Sequence, residues 1–129
     1  MKQVLALALV LAMNSAPLRA QTVEHIRFQA GNDNASVESM VRGSAYKDYV
    51  LGARGGQRMS VSLSTDGTAY FNILPPGSDA EAIYNSSMTG NDGNVVLPSS
   101  GDYRIRVYLM GADKSENRRV GYTLSVGIM

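Results

Sequence analysis

The 129 residues include one histidine, His25, and no cysteine, which leaves little from which to build a reactive centre. A nucleophilic triad needs a base held beside a hydroxyl or thiol, and His25 stands at the start of a strand-like segment outside any serine motif. Thiolate and histidine-rich zinc or copper sites are excluded by the same count. Asn32-Asp33-Asn34 and Asn91-Asp92-Gly93 place oxygens close together, but neither is followed by the bidentate glutamate that closes a calcium loop, and turn formation accounts for both. Gly52–Gln57 lies between two strand-like runs and opens no helix, so it reads as a hairpin and not a phosphate cradle. Tyrosine-based DNA cleavage would require an arginine cluster and a basic groove, and the chain has neither. These residues describe a protein that is not an enzyme, with no metal and no cofactor. What they leave are contact groups: Tyr46, Arg104, Arg106, Tyr108 and Lys114. Arginines alternating along one strand, as Arg104 and Arg106 do, ordinarily stand on its wet face. Tyr46 falls in the segment Gly43–Asp48, read as a loop in which an exposed ring has little packing reason to exist, which makes it the leading contact residue.

The elements that must position these groups are short strands. From Asp102 to Met110, Tyr103, Ile105, Val107 and Leu109 alternate with Arg104, Arg106, Tyr108 and Met110, the two-residue period of a strand with one buried face. Tyr122–Ile128 and Arg58–Leu63 alternate in the same way. Further strands are expected at His25–Gln29, Ser36–Arg42, Asp48–Ala53, Ala69–Leu74 and Asn94–Leu97. Turn residues separate them, among them Gly55-Gly56, Asp66-Gly67, Pro75-Pro76-Gly77 and Ser99–Asp102. Only Asp79–Tyr84 and Lys114–Arg118 could hold a helical turn. The pattern predicts an all-β chain, a small antiparallel β-sandwich of about eight short strands.

Residues 1–20 differ from the rest. Lys2 is followed by an apolar run from Val4 to Met13 and then by small and polar residues up to Leu18-Arg19-Ala20, the order of a secretory signal peptide. Ten apolar residues are too few to span a bilayer, which takes about 20. The expected organisation is a leader over residues 1–20 and one sandwich domain over 21–129, exported and free of membrane insertion once the leader is removed. Removal takes Lys2 and Arg19 from the twelve basic residues and none of the eleven acidic ones, leaving a formal net charge of −1. That balance argues against a nucleic-acid partner. Without disulfides, the exported domain must rest on its core, which a chain of about 110 residues can supply.

Read in order, Arg27–Gly31, Gly43–Tyr49, Gly56-Gln57, Tyr70–Gly77, Leu97–Tyr103 and Arg106–Tyr108 resemble the periplasmic inhibitors of g-type (goose-type) lysozyme, over roughly Ile26 to Ile128. The resemblance implies an antiparallel β-sandwich whose partner is g-type lysozyme and whose loops enter the enzyme's cleft. It assigns importance to Tyr46. Two family arginines, four residues apart after the Arg-Val strand, fall on Gly111 and Ser115, so both guanidinium groups are missing and Lys114 is the nearest cation before Arg118 and Arg119. The expected partner-binding residues are therefore Tyr46, Lys114, Arg104 and Arg106. A second reading stays open, a diverged sandwich that binds a saccharide, a cell-wall fragment or another exported protein, although the lack of tryptophan weakens a sugar platform.

Overall fold

The structure, a computed structural model, describes residues 21–129, and the leader expected over 1–20 lies outside the described residues. Nine strands form: β1 (Gln21–His25), β2 (Asn34–Arg42), β3 (Tyr46–Ala53), β4 (Arg58–Thr65), β5 (Ala69–Leu74), β6 (Tyr84–Asn85), β7 (Asp92–Val96), β8 (Gly101–Leu109) and β9 (Arg119–Ile128). Two single-turn helices join them, α1 (Ser86–Thr89) and α2 (Gly111–Ser115). One sheet runs β1-β3-β8-β5-β6 and the other β2-β9-β4-β7.

Alternation decides which side chains go inside. Met59, Val61 and Leu63 of β4 and Val120, Tyr122, Leu124, Val126 and Ile128 of β9 face Tyr103, Ile105, Val107 and Leu109 of β8 across the sandwich. Tyr49 and Leu51 of β3 and Phe71 and Ile73 of β5 complete the inner layer. The Tyr103 hydroxyl donates to the Ser99 carbonyl four residues upstream, at 2.6 Å, in the manner of the tyrosine corner of Greek-key sandwiches. At the β6–β7 end the Tyr84 ring stacks on Phe71 at 5.5 Å between centroids. Gly93 of β7 makes room for it, since a Cβ there would come within 2.8 Å of the Tyr84 ring.

The sandwich differs from the sequence expectation in several respects, beginning with strands β2, β3 and β9, which start two or three residues earlier than expected, and β4, which runs two residues further. Nine strands form where about eight were expected, because β6 has only two residues and too little sequence to show a period. The first strand is Gln21–His25 instead of His25–Gln29. Ile26 and Phe28 do pack against the core, which produced the apparent alternation, but the strand ends at His25, and only the Ile26 N–H still reaches β3, at the Val50 carbonyl. β1 is exposed along its whole length and pairs with β3 in parallel, the one exception to antiparallel pairing among the described residues. The helical turns fall at Ser86–Thr89 and Gly111–Ser115, displaced from Asp79–Tyr84 and Lys114–Arg118. The first of these starts where the Asn85 side chain caps the Ser87 N–H at 3.0 Å. Finally, β7 begins at Asp92 and ends at Val96, two residues earlier than expected at its start and one at its end.

The two sheets are also joined by a polar bond in the core. Tyr49 of β3 and Tyr122 of β9 bring their hydroxyls to 2.6 Å. Burial raises both phenols above the ordinary tyrosine range. A raised folded value means that stability is complete below the unfolded tyrosine value and falls as pH climbs past it. We expect Tyr49→Phe to destabilise the protein by about 1–2 kcal/mol in urea titrations. Adding Tyr122→Phe should cost less than the sum of the two single changes, because the second hydroxyl has already lost its partner.

Candidate functional site

The outer face of the five-stranded sheet is built from the residues that alternate with the core. Register brings Tyr46, Tyr108 and Tyr70 into one row across β3, β8 and β5. Asp48, Arg106 and Asn72 form the next row, and Val50, Arg104 and Leu74 the third. Asn85 of β6 extends the middle row beside Asn72.

Charge is concentrated in that middle row. Asp48 is only 2% exposed although it lies on the outer face. Arg106 engages it with two parallel bonds, Nε to Oδ1 at 2.8 Å and Nη2 to Oδ2 at 3.0 Å. Arg104 adds a third, Nη1 to Oδ2 at 3.0 Å. One carboxylate between two guanidinium groups leaves an excess positive charge. The Asp48 hydrogen bond is also what raises the Arg106 pKa most. Nη1 of Arg106 reaches the Asp79 carbonyl at 3.2 Å, and the guanidinium carbon lies 4.2 Å from the centroid of the Tyr46 ring. The Tyr46 hydroxyl donates to the Gln21 side-chain carbonyl. The Tyr108 hydroxyl donates to Asn72 at 2.9 Å and is close to Asn85 at 3.2 Å, and burial raises its pKa.

A groove of about 410 Å³ opens over these rows. Tyr46, Arg106, Tyr108 and Asn72 line it on the sheet side, and exposed Met110 and Lys114 come from the β8–β9 connection. No carboxylate is among its lining residues. The ammonium of Lys114 is in no ion pair among the described residues.

The connections at this end are tied to one another. Gly43 donates to the Arg118 carbonyl at 2.9 Å, linking the β2–β3 turn to the β8–β9 loop. Asp113 of α2 accepts from both the backbone N–H and the hydroxyl of Thr68, each at 2.8 Å. Those two bonds, the backbone one first, hold the Asp113 carboxyl below the usual range. Arg118 closes the loop on Asp113 at 3.3 Å and Glu116 at 2.5 Å.

Of the four expected contact residues, the structure gathers Tyr46, Arg106 and Lys114 into the groove and leaves Arg104 on the same face outside its lining. Tyr46 is the first residue of β3, where a loop position was expected, and its ring is half-buried against Arg106. Arg104 and Arg106 are not simply solvated: their side chains are 37% and 21% exposed, and both are committed to Asp48. Asp48 itself, together with Asn72 and Gln21, escaped the sequence reading. The one available signal was a pair of arginines two residues apart, whose charge calls for a partner on a neighbouring strand. Among the described residues no cluster of three or more His, Cys, Asp or Glu could hold a metal, and no helix is long and apolar enough to cross a membrane.

No protein-family model matches the chain. It is 30% identical over 129 residues to the inhibitor of g-type lysozyme of Escherichia coli K12, covering 98% of this chain and 94% of that protein. The crystal structure of Aeromonas hydrophila PliG, a periplasmic inhibitor of g-type lysozyme, superposes with a TM-score of 0.80 at 31% identity, over 84% of this chain and 97% of that one. Salmonella Typhimurium PliG, another periplasmic inhibitor of g-type lysozyme, gives 0.70 at 28%, over 84% and 98%. The pre-peptidase C-terminal domain of a Bacillus anthracis collagenase gives 0.64 at 16%, over 85% and 99%, a likeness of fold alone. Identity of this extent, running across nearly the whole of both chains and joined to the same sandwich, means that the chain belongs to the family of inhibitors of g-type lysozyme.

Proposed function

We propose that this chain is an exported, periplasmic inhibitor of g-type lysozyme, which it blocks by seating the Tyr46 end of the sandwich in the enzyme's cleft. It acts by binding and performs no catalysis. The observation that carries the reading is the 30% identity to a g-type lysozyme inhibitor across 98% of the chain. Charge supports it. Glycosidase clefts hold a pair of carboxyl groups, and the groove offers Lys114, the Arg106 guanidinium and no carboxylate of its own. Rigidity supports it too, since loops already bonded to one another lose little freedom on docking.

A lysis assay on peptidoglycan with residues 21–129 should show inhibition of g-type enzyme and none of c- or i-type enzymes. Inactivity at micromolar protein would retire lysozyme and favour a wall fragment or another exported partner. Tyr46→Ala should weaken inhibition by about 10- to 100-fold. Lys114→Glu should weaken it and reduce its salt dependence. The two absent family arginines are not equivalent. Gly111 has φ +65°, so arginine there carries a left-handed strain of about 1–2 kcal/mol, whereas Ser115 has no such constraint. Ser115→Arg should therefore tighten inhibition, while Gly111→Arg loses stability by urea titration. Because Asp113 is held below its unfolded value, its ties to Thr68 persist above the ordinary carboxylate range and fail as pH falls through the lowered value. Hydrogen-exchange protection of the Thr68 amide, taken relative to its intrinsic rate, should fall over that acidic interval and not at neutral pH.

A further inference from the structure

Asp48 does not line the groove, yet its bonds control a residue that does. Arg106 gives it Nε and Nη2 and gives Nη1 to the Asp79 carbonyl, so all three nitrogens of the planar group are fixed. That fixed guanidinium lies against the face of Tyr46, 4.2 Å from the ring centroid, while Gln21 accepts from the hydroxyl at the ring's far end. The ring is clamped at face and tip. An aromatic side chain held in place before contact loses less rotamer freedom when a partner closes on it. Tyr103 supplies a control for stability alone: its hydroxyl bonds the Ser99 carbonyl at 2.6 Å and it lies outside the groove lining.

We infer that Asp48 is a positioning residue for partner binding: it locks Arg106 against Tyr46 and thereby presents the ring in one orientation. This rests on the reading of the chain as a lysozyme inhibitor. The test measures inhibition constants against g-type lysozyme and urea midpoints for the wild type, Asp48→Asn, Tyr46→Ala, the double variant and Tyr103→Phe. Asp48→Asn should raise the inhibition constant about five- to tenfold. Tyr46→Ala should then cost far less in the Asp48→Asn background than in the wild type, because an unclamped ring has less to lose. Tyr103→Phe should lower the midpoint and leave the inhibition constant unchanged. If the wild type inhibits but the two losses are additive, or Tyr103→Phe weakens inhibition as much as Asp48→Asn, the inference alone falls. A wild type without inhibition removes the lysozyme reading and this inference together. Should Asp48→Asn fail to fold, side-chain NMR of the wild type decides. A sharp, exchange-protected Arg106 Nε–H and a restricted Tyr46 ring are expected, and an averaged guanidinium beside a freely turning ring overturns the inference.

Discussion

A carboxylate withdrawn from water must be matched by charge and hydrogen bonds, or the fold bears its full desolvation penalty. Asp48 meets that condition on the outer face of a sheet, where three N–H groups from two arginines surround it. Meeting it requires that β3 and β8 pair in one register, with Asp48 opposite Arg106 and Val50 opposite Arg104. A slip by one residue would turn Asp48 toward the apolar interior and expose Tyr49 and Leu51. The ion cluster and the core therefore select the same alignment, and the row of tyrosines beside the groove follows from it.

The remainder of the molecule shows how a sandwich without disulfides keeps its ends in order. Tyr49 and Tyr122 bond across the layers, Tyr103 fastens the approach to β8, and Tyr84 seals the β6–β7 end over Gly93. At the groove end, backbone and carboxylate bonds replace apolar packing, because the β8–β9 loop is exposed along most of its length and has no buried side chain until Val120. Each device spares a connection the entropy of wandering, which matters most where a partner must dock.

Most of the sandwich was legible in the residues. β4, β8 and β9 carry strict alternation, and Ala69–Leu74 occupies the bounds its sequence suggested. β1 and β6 were not legible, since a five-residue polar strand and a two-residue strand have no period to read and exist only through the neighbours that accept their backbones. The site divides in the same way. Tyr46, Arg106 and Lys114 could be singled out by type and location, whereas Asp48 sits in an ordinary Asp-Tyr pair and gains its role only from the strand beside it.

By itself the sequence determined the class of the protein: an all-β chain with a family resemblance spread over its length. Those properties live in composition and in local periodicity, which each segment carries independently of the others. Only the tertiary structure decided which side chains meet. It paired β1 with β3 in parallel, buried Asp48 between two arginines, laid Arg106 against Tyr46 and brought Lys114 to the same groove from a segment far along the chain. Those contacts depend on register and on strand order, and neither is written in any one segment, because each arises from the joint burial of all of them.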